Sequence, residues 1–127
     1  MGLDMFIAGV RYYKYDNLEE DNIGARKMEE TVELAYWRKH PDLHGYIVNT
    51  FAGGVDNCEK ILLEEKDLLR IKNAVNQNAL PKTEGFLFGV SITADQQATL
   101  SQLDKAIDWI SIKEEGFFKQ LYYQASW

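Results

Sequence analysis

Leu3-Asp4-Met5-Phe6-Ile7-Ala8-Gly9-Val10-Arg11-Tyr12-Tyr13 is the stretch on which the fold turns. Side chains in a strand alternate between two faces. Leu3, Met5, Ile7 and Gly9 therefore point one way and Phe6, Ala8, Val10 and Tyr12 the other. Apolar groups on both sides predict a strand inside a sheet rather than at its rim. Asp4 is the odd member, because a charge in a central strand costs several kcal/mol unless it is paired. Arg38 or His44 would serve as its partner.

Downstream, residues 29–37 fit two patterns. Val32, Leu34 and Tyr36 alternate with Glu33 and Ala35 as in a strand, whereas Met28, Val32 and Ala35 share a helical face. Four β-branched or aromatic residues among nine, Thr31, Val32, Tyr36 and Trp37, favour the strand. Pro41 suits a first helical turn. Leu43, His44, Ile47, Val48 and Phe51 then form a helical stripe, which Gly53-Gly54 stops. Residues 58–64 read as a strand. Residues 66–78 read as a helix that buries Leu68, Ile71 and Val75 and ends before Leu80-Pro81. Residues 85–91, with Phe86, Leu87, Phe88 and Val90, return as a strand. Thr93 with Gln96 makes a capping box before a helix striped by Leu100, Leu103, Ile107 and Ile110. Residues 117–126 form the last strand, with Phe117, Leu121, Tyr123 and Ala125 opposite Phe118, Tyr122 and Ser126.

Five strands and three helices outside strict alternation predict an α+β fold: a mostly antiparallel sheet with helices packed on one face. Pairing between the first and last strands would join the two ends of the chain. Residues 15–25, rich in Asp, Glu and Asn, have little to bury and read as an exposed loop.

The 127 residues match one domain, 1–127, without linker or repeat. Hydrophobic residues make up 46%, enough to supply a core that hides about two-thirds of the chain's surface. Cys58 stands alone, which excludes an internal disulfide and a cysteine-cluster zinc site. No charged-then-apolar leader opens the sequence, and no apolar run approaches the ~20 residues that span a bilayer. A myristoylation signal would need Ser or Thr where Phe6 stands. These features lead us to expect a protein of the reducing cytoplasm. The net charge of −6, from 20 acidic and 14 basic residues, disfavours a general phosphate-neutralising nucleic-acid binder.

Chemistry-bearing residues concentrate in Tyr36-Trp37-Arg38-Lys39-His40, followed by His44. Two aromatics can flank a planar ligand, a guanidinium can grip an anion with two hydrogen bonds, and the histidines can exchange protons near neutrality. The same residues also suit core packing and a solvated strand end. His40 and His44 share a helical spacing, but Pro41 holds His40 off helical geometry and the glutamate of a zinc helix is missing. No metal site and no cofactor are expected. In Gly53-Gly54-Val55-Asp56-Asn57-Cys58, the glycines read as a helix cap rather than an anion nest. Asp56 is a candidate to hold a ligand hydroxyl. Cys58 has no flanking base and reads as buried packing.

The opening Met1-Gly2-Leu3-Asp4-Met5, the run Leu34-Ala35-Tyr36-Trp37-Arg38-Lys39-His40, and Leu43-His44-Gly45 resemble a family of small uncharacterised proteins of bacteriophages and their bacterial hosts. Gly53-Gly54-Val55-Asp56-Asn57-Cys58, Gly85-Phe86-Leu87-Phe88-Gly89 and Tyr122-Tyr123-Gln124-Ala125-Ser126-Trp127 extend the resemblance over nearly the whole chain. Gly45-Tyr46 departs from it, since many relatives carry a bulkier residue and Trp there. The resemblance implies a setting in the host bacterial cytoplasm and an accessory role against host processes, defence among them, rather than an activity. Three functions compete at this level. One is a non-catalytic binder of a host protein or small anionic ligand through Tyr36, Trp37, Arg38, Lys39, His40, His44 and Asp56, with self-association open to it. Another is a small enzyme with His44 as base, Asp4 or Asp56 as its orienter and Arg38 on an anionic substrate. The last is a minor structural or assembly component.

Overall fold

A computed structural model describes residues 3–13, 29–38, 40–77, 79–80 and 96–126. The elements run β1 (Asp4–Tyr13), β2 (Glu29–Arg38), α1 (Pro41–Phe51), β3 (Ile61–Leu63), α2 (Glu65–Asn76), α3 (Gln96–Ser111) and β4 (Phe117–Ser126). The four strands form one antiparallel sheet in the order β2-β1-β4-β3. The fold is α+β, as the alternation in β1 requires.

The first and last strands pair along their full length, from Asp4 opposite Ser126 to Tyr13 opposite Phe117. They occupy the middle of the sheet, which is why β1 carries apolar groups on both faces. Leu3, Met5, Ile7, Leu121 and Tyr123 point to the helix side and are almost fully buried with Leu43, Ile47, Leu68, Ile71 and Leu103. Gly9 lies under α3, where an added Cβ would come within 2.5 Å of the Trp109 ring. Glycine is required there by close approach, not by backbone angle.

Residues 29–37 are strand, but their alternation does not run straight through. Ile7 faces Ala35 while Ala8 faces Glu33, so Leu34 is an extra residue in β2. Such a bulge resets the two-residue period. Leu34 and Ala35 are both buried, Tyr36 turns to the outer face, and Trp37 turns in. There its indole N–H donates to the Thr99 hydroxyl on α3 at 3.2 Å. Gln102 of α3 accepts from the Tyr36 backbone N–H at 2.6 Å and so occupies a donor on the β2 edge.

Other boundaries differ from the sequence reading. The strand expected over residues 58–64 shrinks to Ile61–Leu63, because Cys58 sits at φ 63°, outside extended geometry, and Glu64 is already the N-cap of α2. Cys58 is exposed rather than buried. In α3 the fully buried residues are Thr99, Leu103 and Ala106, while Leu100, Ile107 and Ile110 flank the core. The expected strand at 85–91, the Thr93 cap and the loop at 15–25 lie outside the described residues. Among the described residues there are four strands, against about five expected.

At the far end of the helix side, Lys119 closes α3. Its ammonium donates to the carbonyls of Trp109 (2.8 Å) and Ile112 (2.6 Å) and pairs with Glu114 at 3.0 Å. A cation at a helix C-terminus satisfies orphan carbonyls and meets the negative end of the dipole. Arg11 adds pairs to Glu114 and to Glu30, at 3.2 Å for the latter, and its guanidinium lies 4.4 Å from the Phe117 ring centre.

Candidate functional site

His44 lies one turn into α1, on the face that carries Leu43, Ile47 and Val48 into the core. A polar ring on a buried face must find partners, and each ring nitrogen meets one among the described residues. Nδ1 is 2.6 Å from the Tyr123 hydroxyl on β4, and Nε2 is 2.9 Å from Asp56 Oδ2. Burial, then the charge of Asp56, push the Tyr123 phenol well above its ordinary 10, so it keeps its proton. A phenol that keeps its proton can donate to Nδ1, and the tautomer that matches this donates from Nε2 to the Asp56 carboxylate.

Local geometry brings Asp56 into place. Ala52 and Gly54 both return their backbone N–H groups to the Val48 carbonyl at 3.0 Å, with Gly53 at φ 62° and Gly54 at φ 81°. Two left-handed glycines reverse the chain, so the following residues fold back along α1. The amide of Gly54 is spent on this cap, as the capping reading requires. Asn57 accepts from the Glu59 N–H at 3.3 Å, and the Cys58 carbonyl accepts from the Gln124 side chain at 3.0 Å. The loop after α1 is thus clasped back to α1 by Asp56 on His44 and to β4 by the Cys58 carbonyl on Gln124.

Carboxylate, imidazole and phenol in a row resemble a base with its orienter. The third member, however, is a phenol that is 1% exposed, and the His44 side chain is 3% exposed. The crevice beside them, lined by His44, Asp56, Asn57, Cys58 and Glu59, encloses only about 200 Å³, open solvent included. Chemically, the arrangement holds a loop more readily than it admits a substrate.

The other sequence candidates are divided between locations. Strand alternation separates Tyr36 and Arg38 on the outer face from Trp37, which is 7% exposed on the inner one. The aromatic pair therefore cannot sandwich one ligand. Tyr36 donates its hydroxyl to Asp4 at 2.6 Å, and this bond, foremost, holds the phenol above its ordinary value. Arg38 Nε approaches the same carboxylate at 4.0 Å, with the Arg38 side chain 66% exposed. Asp4 is thus on the open face, half solvated, and not the buried charge that its central strand suggested. His40 is the N-cap of α1, its Nδ1 accepting from the Leu43 N–H at 3.4 Å. Burial lowers its pKa below the ordinary 6.5, against the pull of Asp42, which suits an acceptor ring. Lys39 lies outside the described residues. Asp56, not Asp4, orients His44.

Sequence reasoning missed Tyr123 and Thr99. Tyr123 alternates with Leu121 and Ala125 on the buried face, and a phenol placed there signals a required hydrogen-bond partner. Among the described residues, no group of three or more His, Cys, Asp or Glu is arranged to hold a metal ion, and no helix is long and apolar enough to cross a membrane. No protein-family model, curated protein or solved structure matches this chain.

Proposed function

We propose that this chain is a non-catalytic binding protein. In the bacteriophage setting that its resemblance implies, it acts in the host cytoplasm on a host protein or small anionic ligand, with a component of host defence as the expected target. The observation that carries this reading is the enclosure of His44: both ring nitrogens are engaged internally and the ring is sealed from solvent. A general base must reach the proton it abstracts. By contrast, Tyr36, Arg38 and Asp4 stand together on the open sheet face, and Tyr and Arg are the residues on which interfaces most often depend.

The test compares Arg38→Ala with the wild-type chain as bait in infected cells, with captured proteins identified by mass spectrometry and affinity then measured for the partner found. Binding through this face predicts a loss of about 1–3 kcal/mol in affinity, the scale of a charge-assisted hydrogen bond. Unchanged affinity in a folded variant removes Arg38 from the interface. The enzyme reading is favoured by the 2.9 Å His44–Asp56 contact alone. It requires turnover that His44→Gln abolishes while the fold persists.

A further inference from the structure

Aromatic side chains recur on the sheet face opposite the helix core. Leu3, Met5 and Ile7 point into that core, so strand alternation turns Phe6 and Tyr12 of β1 the other way. On β4, Leu121 and Tyr123 are buried, which turns Phe118 and Tyr122 outward as well. The two strands bring these rings together. Phe6 and Tyr122 meet edge to face at 6.2 Å between ring centres, and Tyr12 and Phe118 at 6.0 Å. Register adds Tyr36 of β2 opposite Phe6 and Leu62 of β3 opposite Tyr122. Tyr36, Phe118 and Leu62 are 44%, 50% and 63% exposed.

Tyr36, Phe6 and Tyr122 thus make a row over β2, β1 and β4, about 10 Å across at the ordinary spacing of strands. A cation stands at each end of the row. Arg38, on the same face as Tyr36, is 66% exposed, with its Nε 4.0 Å from Asp4. The Lys60 ammonium lies 4.6 Å from the Tyr122 ring centre. Asp4 accepts from the Tyr36 hydroxyl at 2.6 Å, and a carboxylate has lone pairs to accept again from an exocyclic amine. Ring faces, two separated cations and an acceptor answer the parts of a nucleotide: a flat base, a phosphate and an amino group on the base edge.

We infer that this row is a stacking platform for a short single-stranded oligonucleotide, with two or three bases on Tyr36, Phe6 and Tyr122 and phosphates at Arg38 and Lys60. Aromatic residues on adjacent strands of an antiparallel sheet stack bases in this manner, and any base offers a face to them. Charge sets how the ligand is held. The chain carries −6, and Glu33 stands opposite Ala8 on the same face, so a long polyanion is repelled. Stacking, not phosphate neutralisation, supplies most of the affinity. The inference deepens the binding reading by giving its small anionic ligand a chemical class, and it rests on that reading.

The probe is fluorescein-labelled tetradeoxyadenylate, titrated against the whole chain by fluorescence anisotropy. Saturable binding is expected, with log affinity falling against log salt at a slope of about −1.4, as two phosphate contacts on a single strand require. Tyr36→Ser, Phe6→Leu, Tyr122→Leu, and Arg38→Ala combined with Lys60→Ala should each weaken it at least about fivefold. Tyr36, Arg38 and Lys60 are exposed, so unchanged melting temperatures verify the fold of those variants even where a central-strand variant is unstable. Absence of binding at millimolar oligonucleotide overturns the inference, as does binding that survives all four changes. Equal binding of an abasic tetranucleotide overturns it too, since that is charge attraction alone. So does equal competition by deoxyadenosine monophosphate, which needs one ring rather than a row. A salt slope steeper than about −3 engages more cations than these two and also overturns it. A concentration-dependent dimer that Tyr36→Ser dissociates does the same, because the row then faces a second copy. Host-protein capture that Arg38→Ala abolishes, without oligonucleotide binding, leaves the binding reading intact and sinks the platform alone.

Discussion

At the scale of single residues, the molecule is decided by where polar groups meet apolar surroundings. Tyr123 and His44 are each other's partner in the core, and neither can turn to water for a replacement. Tyr123→Phe leaves His44 Nδ1 without the phenol's hydrogen, and the expected loss is about 1–3 kcal/mol in urea unfolding. A loss below about 0.5 kcal/mol would mean the bond is not formed in solution. Arg38 is the opposite case. Its 4.0 Å approach to a half-exposed Asp4 is a surface pair, worth at most about 1 kcal/mol. Arg38→Ala should therefore leave the melting temperature nearly unchanged, and a drop of several kcal/mol would place the guanidinium in a buried pair instead. The candidate run 36–40 was legible as a cluster of chemical types but not as a surface. A strand sends neighbouring residues to opposite faces, and the bulge at Leu34 decided which went where.

Helices and strands are joined by close approaches that propensity does not reveal. Trp109 lies directly on Gly9, so Gly9→Ala drives a methyl group into a rigid ring. The expected cost is about 1–3 kcal/mol, and combining it with Trp109→Leu should recover part of that cost in a double-mutant cycle. Strict additivity would show that the two side chains do not collide. The ends of two helices also carry titrating groups. Glu114 is held below its ordinary 4.5, first by the Lys119 hydrogen bond and then by the charges of Arg11 and Lys119. A lowered carboxylate pKa contributes stability that is fully present above 4.5 and lost as pH falls through the lower folded value. His40 is depressed from 6.5 by burial, so the stability its neutral ring contributes at the α1 N-cap declines as pH drops from 6.5 toward its folded value. Melting temperature against pH should fall in two steps. Glu114→Gln should flatten the step below 4.5, while His40→Asn, which keeps a capping acceptor, should flatten the step beginning at 6.5. A profile that neither variant alters would remove both groups from acid unfolding.

Across the whole molecule, the central pair of strands is made of the two ends of the chain. Contacts between residues so distant in sequence must be closed before they stabilise anything, so folding is expected in the slow range of roughly milliseconds to seconds. Stopped-flow refolding in the microsecond range would contradict the β1–β4 pairing as the organiser of the fold. For the same reason, deletion of residues 117–127 removes a central strand rather than an edge, and the remainder should show no cooperative unfolding transition.

Several features were determined by the sequence alone. Alternation in residues 3–13 and 117–126 dictated strands, the first of them two-faced and so inside the sheet, and the stripe from Leu43 to Phe51 dictated a helix stopped by two glycines. These are local periodicities, and local sterics and burial are enough to enforce them. What only the tertiary structure decided was partnership. Period and propensity do not specify which carboxylate reaches His44, that Tyr123 is its second partner, or that Trp37 leaves the surface for Thr99. Those outcomes depend on the register between distant strands, and one extra residue at Leu34 shifts a register by enough to exchange one face for the other.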